Sequence, residues 1–289
     1  MKTRLNRRQE RAVVALIAFV FGLFLYKVII ELTVEEVTIF GFHDIVDLEK
    51  PSDRPPQRPV LDGDYTKQDL QLVLESLIQQ NYWFLTTQEL YDYFVKPDRL
   101  PIPPEHRGQK RVMISTDDGY TSAHFSLMEI AENLEQKYGK KIKIVWFVNP
   151  PFMGKEGLQL PHATCEELRD GFQKGYYDLQ SHGSNHTNFS ELSDDKLEID
   201  LSKAQQILRD CTGNLDPDRT VARHVAYPFG DADDRVEKIV AKYHLSGYIY
   251  NNQMLKLDRL KSPYHIPRVS IHNRIPPKKL IWLAKGGLL

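Results

Sequence analysis

Two short polar runs, Ser115-Thr116-Asp117-Asp118-Gly119-Tyr120 and Ser181-His182-Gly183-Ser184-Asn185-His186, carry carboxylates and imidazoles of the kind that hold a divalent cation. The first follows the apolar run Arg111-Val112-Met113-Ile114 and precedes a helical pattern from Ala123 to Tyr138. The acids therefore sit where a parallel strand turns into a helix, the edge at which α/β folds collect their chemistry. Hydrolysis of an amide needs water with a lowered pKa, a base for its proton, donors for the oxyanion and an acid for the departing amine. Asp117, Asp118, His182 and His186 can meet the first two needs, one carboxylate binding the metal while its neighbour accepts the proton. Adjacent strand residues point to opposite sides, but a turn at Asp118-Gly119 brings both carboxylates to one cavity. Asp-Asp-Gly alone is a common turn and His-x-x-x-His alone recurs by chance. Their conjunction, each cluster placed after a strand, carries the reading.

The elements that must position these groups alternate along the chain. Val37 to Phe42 reads as a strand ending in His43-Asp44, and Pro51, Pro55, Pro56 and Pro59 impose an irregular loop after it. Capping-box spacing at Thr66-x-x-Asp69 and Thr86-x-x-Glu89 opens helices over Thr66 to Gln80 and Thr86 to Val95. Lys141 to Val148 is a strand; Thr164-x-x-Glu167 opens a helix that closes near Gly175; Tyr176 to Gln180 leads to the histidines. Leu197, Leu201, Ala204 and Leu208 share one helical face. Val221 to Tyr227, a helix from Asp233 to Tyr243, and strands at Tyr248 to Tyr250 and His265 to Ile271 follow. A last helix over Pro276 to Lys285 is expected to pack Ile281, Trp282 and Leu283 on the body. Such alternation implies an α/β fold, a parallel sheet or barrel with helices outside.

Composition is that of a folded chain: 41% hydrophobic and 27% charged over 289 residues. Lys+Arg at 38 against Asp+Glu at 39 leaves a net charge of −1, so no basic field gathers nucleic acid. Residues 12–30 form an apolar run of about 28 Å as a helix, at ~1.5 Å per residue, enough to cross a hydrocarbon core. Lys2, Arg4, Arg7, Arg8 and Arg11 precede it, so the positive-inside rule keeps the first 11 residues cytoplasmic and sends the remainder across the membrane. A cleaved signal peptide is the rival, but no small-residue pair follows Ile30; an uncleaved anchor, a linker over 31–36 and a catalytic domain over 37–289 are expected. The only cysteines, Cys165 and Cys211, either pair, as an exported domain would allow, or stay separate buried thiols.

From Val37 to His272 the chain resembles the polysaccharide deacetylases, the NodB-type carbohydrate esterases. The likeness rests on Phe42-His43-Asp44, the helix-rich lead-in, Asp117-Asp118-Gly119-Tyr120, Ser181-His182 through His186, and Ala226-Tyr227-Pro228-Phe229-Gly230. It implies a distorted (β/α) barrel of parallel strands with outer helices, one bound divalent metal, usually zinc, and removal of N-acetyl or O-acetyl groups from a glycan. By position it makes Asp117 the general base, Asp118, His182 and His186 the metal ligands, and the Phe229 backbone N–H an oxyanion donor. His272, near the end of the last strand, is the candidate acid, with a solvated surface histidine as the plain alternative. His43-Asp44 reads as a strand-end hydrogen-bonding pair or as a lining of the cavity.

Three departures from the family pattern stand out. Thr116 replaces an aromatic before the acids, no Asp-x-x-Asp-Trp segment occurs, and Ala226 stands where an arginine usually orients the base. Arg268, in Ile266-Pro267-Arg268-Val269, or Arg223 then takes that role. The expected activity is a membrane-anchored, metal-dependent deacetylase acting on an extracytoplasmic polysaccharide or peptidoglycan, N-acetyl before O-acetyl. A catalytically silent glycan-binding domain, favoured by the missing arginine, and a cytoplasmic hydrolase of small amides are the alternatives.

Overall fold

The computed structural model describes residues 7–8, 13–23, 35–157 and 160–287. The chain divides into two units, Met1–Glu35 and Glu36–Leu289. In the first, residues 13–23 are helical (α1), while residue 12 and residues 24–30 of the expected membrane span lie outside the described residues. No helix among the described residues is long and apolar enough to cross a membrane.

In the second unit, seven parallel strands close on themselves. They are β1 (Glu36–Phe42), β5 (Arg111–Thr116), β6 (Ile144–Val148), β7 (Tyr177–Ser181), β8 (His224–Ala226), β9 (Ser246–Tyr250) and β11 (Ile266–Ser270). The ring runs β1-β11-β9-β8-β7-β6-β5 and returns to β1 through five register pairs, from Thr38 opposite Val112 to Phe42 opposite Thr116. Two short strands distort it. β4 (Trp83–Phe84) pairs with the start of β5, so β6 meets β5 only at Ser115 and Thr116. β10 (Leu255–Lys256) pairs antiparallel with the start of β1, and β11 meets β1 only at Phe40 and Gly41. These wedges hold the barrel's N-terminal end apart. β2 (Asp44–Val46) and β3 (Asp64–Thr66) pair with each other at the edge.

Alternation along each strand sorts the side chains. Val37, Ile39, Met113, Val145, Phe147, Ala226, Tyr248 and Ile266 face inward and pack with Leu90 and Phe94 of the segment that closes the N-terminal end. Phe40, Phe42, Ile114, Trp146, Leu179 and Val269 face outward, where α2 (Lys67–Gln79), α4 (Thr121–Tyr138), α5 (Cys165–Gln173) and α8 (Pro277–Ala284) cover them. Val225, Tyr227 and Ile249 pack under α6 (Asp194–Thr212) and α7 (Asp234–Val240). Each such buried aliphatic or aromatic side chain contributes about 1.5–3 kcal/mol. Along β5 and β6 the inward series passes from the apolar Met113, Val145 and Phe147 to the polar Ser115, Asp117 and Asn149 at the C-terminal mouth.

The three expected caps form, with Thr66, Thr86 and Thr164 each accepting an N–H three residues on and the Thr86 and Thr164 boxes closed by Glu89 and Glu167. The helix expected over Thr86 to Val95 divides into α3 (Thr87–Leu90) and a π turn over Tyr91–Val95; the buried Asp178 accepts the Thr87 N–H and hydroxyl at 2.6 and 2.7 Å and ties the start of α3 to β7. Trp282, expected against the body, is instead 46% exposed and lies under the Lys279 ammonium, while Leu283 is buried.

Of the two readings of the cysteines, the structure has the pair: Cys165, the first residue of α5, is bonded to Cys211 in the last turn of α6, with Cα atoms 5.7 Å apart. A cross-link spanning 46 residues contributes about 4 kcal/mol in the chain-entropy account. Replacing both cysteines by alanine is therefore expected to lower the unfolding free energy by about that amount in urea titrations under oxidising conditions. An unmoved midpoint would show that the link is absent from the protein in solution.

Candidate metal centre and active-site cavity

The two carboxylates of the first cluster part company at the end of β5. Asp117 continues the inward series of Met113 and Ser115 and is wholly buried. Its N–H donates to the Phe42 carbonyl at 2.9 Å. At Asp118 the backbone enters the left-handed region, φ 70°, and Gly119 follows at φ 97°. A Cβ at Gly119 would come within 2.8 Å of Val148. That turn brings Asp118 to the same mouth as Asp117. Thr116, in the place of an aromatic, donates its hydroxyl to the His43 carbonyl at 2.8 Å and so draws the end of β1 alongside.

Of the two candidate arginines, the structure brings Arg268 to Asp117. Its Nη1 and Nη2 donate to the two carboxylate oxygens at 2.6 and 2.8 Å, and its guanidinium lies 4.0 Å from the Tyr250 ring centroid and 5.0 Å from that of Phe147. Gly41 leaves the space that the Tyr250 ring fills. Burial raises the Asp117 pKa, but Arg268, with His182 and His43 adding to it, outweighs burial and holds the carboxyl below the ordinary carboxylate range. Arg223 lies at the start of β8, at the other end of the barrel, where its carbonyl accepts the Leu245 N–H.

Asp118, His182 and His186 place one ligand atom each within 4.8 Å of one another, the one such group of three among the described residues. Asp118 Oδ1 is 3.3 Å from His186 Nε2 and 3.7 Å from His182 Nε2. Neither approach is aligned as a hydrogen bond, and this buried oxygen has no hydrogen-bond partner. His182 Nδ1 lies 2.9 Å from the Ala226 carbonyl, an acceptor only, so Nδ1 carries the proton and Nε2 turns a lone pair toward Asp118. Burial drives the His182 pKa down to about 4, keeping the ring neutral. For His186 burial pulls the same way, but the nearby Asp118 carboxylate prevails and the pKa is raised. An unpartnered buried carboxylate oxygen facing two imidazole nitrogens, one of them fixed as a lone-pair donor, is a donor set that fits a divalent cation.

The cavity above these atoms has a volume of about 510 Å³. Its walls include Tyr120, Phe152, His162, Phe229 and Tyr250, and its floor Asp117, Asp118, His182 and Asn149. Phe229 is 67% exposed at the rim, its backbone at φ 63°, its ring 4.9 Å from that of His186. His272 lines an adjoining cavity of about 430 Å³, together with Asp62 and Arg274. His43 lines both cavities, as do Asp118, Tyr120 and Ser270. The His43 ring is stacked 5.6 Å from Tyr250, and its buried Nδ1 has no partner. A larger hollow of about 910 Å³, between α7 and the β9–β11 connection, shares none of these residues.

Three residues at the site have no place in the motif reading. Asn149, one residue beyond β6 and thus at the strand-end position that Asp117 and His182 occupy in theirs, donates Nδ2–H to the carbonyls of His182 at 2.6 Å and Gly183 at 3.1 Å. Asp200 accepts the Ser184 N–H at 2.7 Å, and its signal was an acid on the apolar stripe of Leu197, Leu201 and Ala204. His162, assigned nothing from sequence, reaches the cavity through a loop that no periodicity marks.

The family profile described as polysaccharide deacetylase matches residues 105–248. Among solved structures the chain is similar to a polysaccharide deacetylase from Bacillus cereus, with TM-score 0.68 and 16% identity over 88% of this chain and 69% of that one. It is also similar to IcaB from Ammonifex degensii, with TM-score 0.64 and 16% identity over 87% and 97% of the two chains. The Streptococcus pyogenes deacetylase PplD in complex with acetate gives TM-score 0.64 and 18% identity over 86% and 98%. No curated protein matches the chain.

Because Arg268 and Asp117 are buried as a pair, removing one charge strands the other. Arg268→Met is expected to cost about 3–5 kcal/mol of unfolding free energy. Restoring neutrality with Asp117→Asn in the same chain should recover part of it, as read by urea denaturation; equal stabilities of Arg268→Met and the double variant would contradict the pairing.

Proposed function

We propose, from the premise that the chain belongs to the polysaccharide deacetylase family, that it is a metal-dependent enzyme removing N-acetyl groups from an extracytoplasmic glycan. The observation that carries the metal reading is the buried, unpartnered Asp118 Oδ1 set against His182 Nε2 and His186 Nε2. Asp118, His182 and His186 would hold the cation, zinc by preference. When bound it supplies a Lewis acid for the acetyl carbonyl and lowers the pKa of water. Asp117, kept ionised by Arg268 and fixed at both oxygens, takes the proton of the attacking water. The Phe229 backbone N–H at the rim stabilises the oxyanion.

The acid for the departing amine is His43, with His272 the donor of second choice. His43 lines the cavity that holds the base and the metal ligands, whereas His272 lines only the adjoining one. An imidazole poised to protonate nitrogen matters for an amide and little for an ester, which favours N-acetyl over O-acetyl. The silent-domain alternative drew its support from the arginine missing at Ala226; Arg268 in bidentate contact with Asp117 removes that support.

Acetate release from N-acetylated oligosaccharides tests the reading. Release is expected to stop with chelator and return with added zinc, and Asp118→Ala or His182→Ala should lose metal and activity together. Asp117→Asn should keep the metal and lose roughly 10²–10⁴-fold in kcat. His43→Ala should fall by a similar factor and His272→Ala by much less; the reverse order would move the acid to His272. Glycan binding without release, indifferent to chelator, would establish the silent domain instead.

We further propose that residues 12–30 anchor the chain in a membrane, with the N-terminus cytoplasmic and residues 37–289 outside. Five basic residues ahead of an apolar run of about 28 Å support this orientation. The Cys165–Cys211 bond in the catalytic unit suits an oxidising compartment. A reporter enzyme active only outside the cytoplasm, fused after Leu289, is expected to be active; activity from a cytoplasm-only reporter would overturn the topology.

A further inference from the structure

We infer that Asp200, in the middle of α6, is a positioning residue that sets the metal affinity of the site by shaping the loop between His182 and His186. The inference rests on the metal reading given above. The two imidazoles are joined by Gly183-Ser184-Asn185, and the course of those three residues decides whether both rings meet Asp118. Asp200 Oδ1 accepts the Ser184 N–H at 2.7 Å and Oδ2 accepts the Asn185 Nδ2–H at 3.0 Å. The Ser184 hydroxyl donates to the Asp200 carbonyl at 2.8 Å. Gly183 passes so close that a Cβ there would stand 2.8 Å from Oδ1. The side-chain hydrogen bonds of this carboxylate thus go into the linker that separates two ligands.

The opposite side of the loop is held by Asn149, whose amide takes the carbonyls of His182 and Gly183. Donors grip one edge of the loop and an acceptor the other, so its path has little freedom, and His186 is kept at φ 49°, a backbone region that a histidine seldom occupies. An acid on the apolar stripe of a helix, 4% exposed, is costly unless it is bonded. Here every bond it makes with its side chain serves the ligand loop, which is why its removal is expected to act on the metal. Groups that orient metal ligands in this way typically change affinity 10–100-fold when lost.

The test is cobalt(II) titration of the purified full-length chain, read by visible absorption and by the dissociation constant, with thermal unfolding of each metal-free variant alongside. Asp200→Ala is expected to bind cobalt 10–100-fold more weakly and with an altered absorption band. Asp200→Asn keeps an acceptor for the Ser184 N–H but sets an amide against Asn185, and should lie between that variant and the unmodified chain. Asn185→Ala trims an exposed side chain and removes one bond of Asp200; a several-fold weaker affinity is expected, with a smaller loss of unfolding temperature in the metal-free protein than for Asp200→Ala. Should Asp200→Ala fail to fold, these two variants decide. Folded Asp200→Asn and Asn185→Ala chains with the cobalt affinity and spectrum of the unmodified chain would overturn the inference while leaving the metal site intact. If the unmodified chain and His182→Ala bind cobalt equally, the metal reading itself falls and the inference with it.

Discussion

The Arg268–Asp117 pair is the constraint around which the mouth of the barrel is built. Neither ion could be buried alone, since an isolated charge at zero exposure carries a desolvation cost of several kcal/mol. Together they are admitted because both carboxylate oxygens are bonded and the guanidinium is held between Phe147 and Tyr250. The pairing also divides labour between adjacent acids. Asp117 is neutralised and immobile; Asp118, one residue on, is turned away by its left-handed backbone and keeps an unpartnered oxygen. Two neighbouring anions in a dry site would otherwise repel. With one matched to an arginine and the other facing imidazoles, both can stay ionised.

That division is maintained by backbone strain at three places. Asp118, His186 and Phe229 have φ of 70°, 49° and 63°, and each such residue costs on the order of 1–3 kcal/mol. Strain of this kind persists only where the surroundings determine the conformation. Around Asp118 this is done by Gly119 fitted against Val148, and around the loop that ends in His186 by Asn149 and Asp200. Buried polar side chains at the ends of β6 and within α6 are thus the counterpart of irregular backbone at the site.

The fold was legible wherever an element was long enough to show its period. The seven barrel strands and the flanking helices lay in the alternation of apolar residues, and capping residues marked three helix starts. Strands β2, β3, β4 and β10 were not legible, because two or three residues cannot display a period of two unless, as for β8 within Val221 to Tyr227, a longer apolar run surrounds them. Asp118, His182 and His186 stood out as candidate ligands because they lie in two short motifs, and Arg268 was one of two candidate arginines, which only the packing of β11 against β1 could separate. His43 and Asp200 could not be placed. A strand-terminal His-Asp pair has the same appearance whether it lines a cavity or closes a strand, and the role of Asp200 depends on a loop 16 residues earlier in the chain. The cysteine pair illustrates the same limit: spacing says nothing about distance until α5 and α6 are packed side by side.

The support of the site extends outward along α6. Its C-terminal end is fixed by the Cys165–Cys211 bond and by Arg169, whose Nη1 donates to the Cys211 and Thr212 carbonyls at 2.6 and 3.0 Å. Those carbonyls belong to the last turn, which has no partners within the helix, so the arginine answers both their hydrogen bonds and the negative end of the helix dipole. Its apolar stripe of Leu197, Leu201, Ala204 and Leu208 seats it on the barrel, and Asp200, within that stripe, meets the ligand loop. A helix pinned at its end and seated along its length cannot slide, and so the carboxylate it carries offers a fixed point to the loop. The geometry of Asp118, His182 and His186, which follow β5 and β7, therefore depends on a helix that contributes none of them.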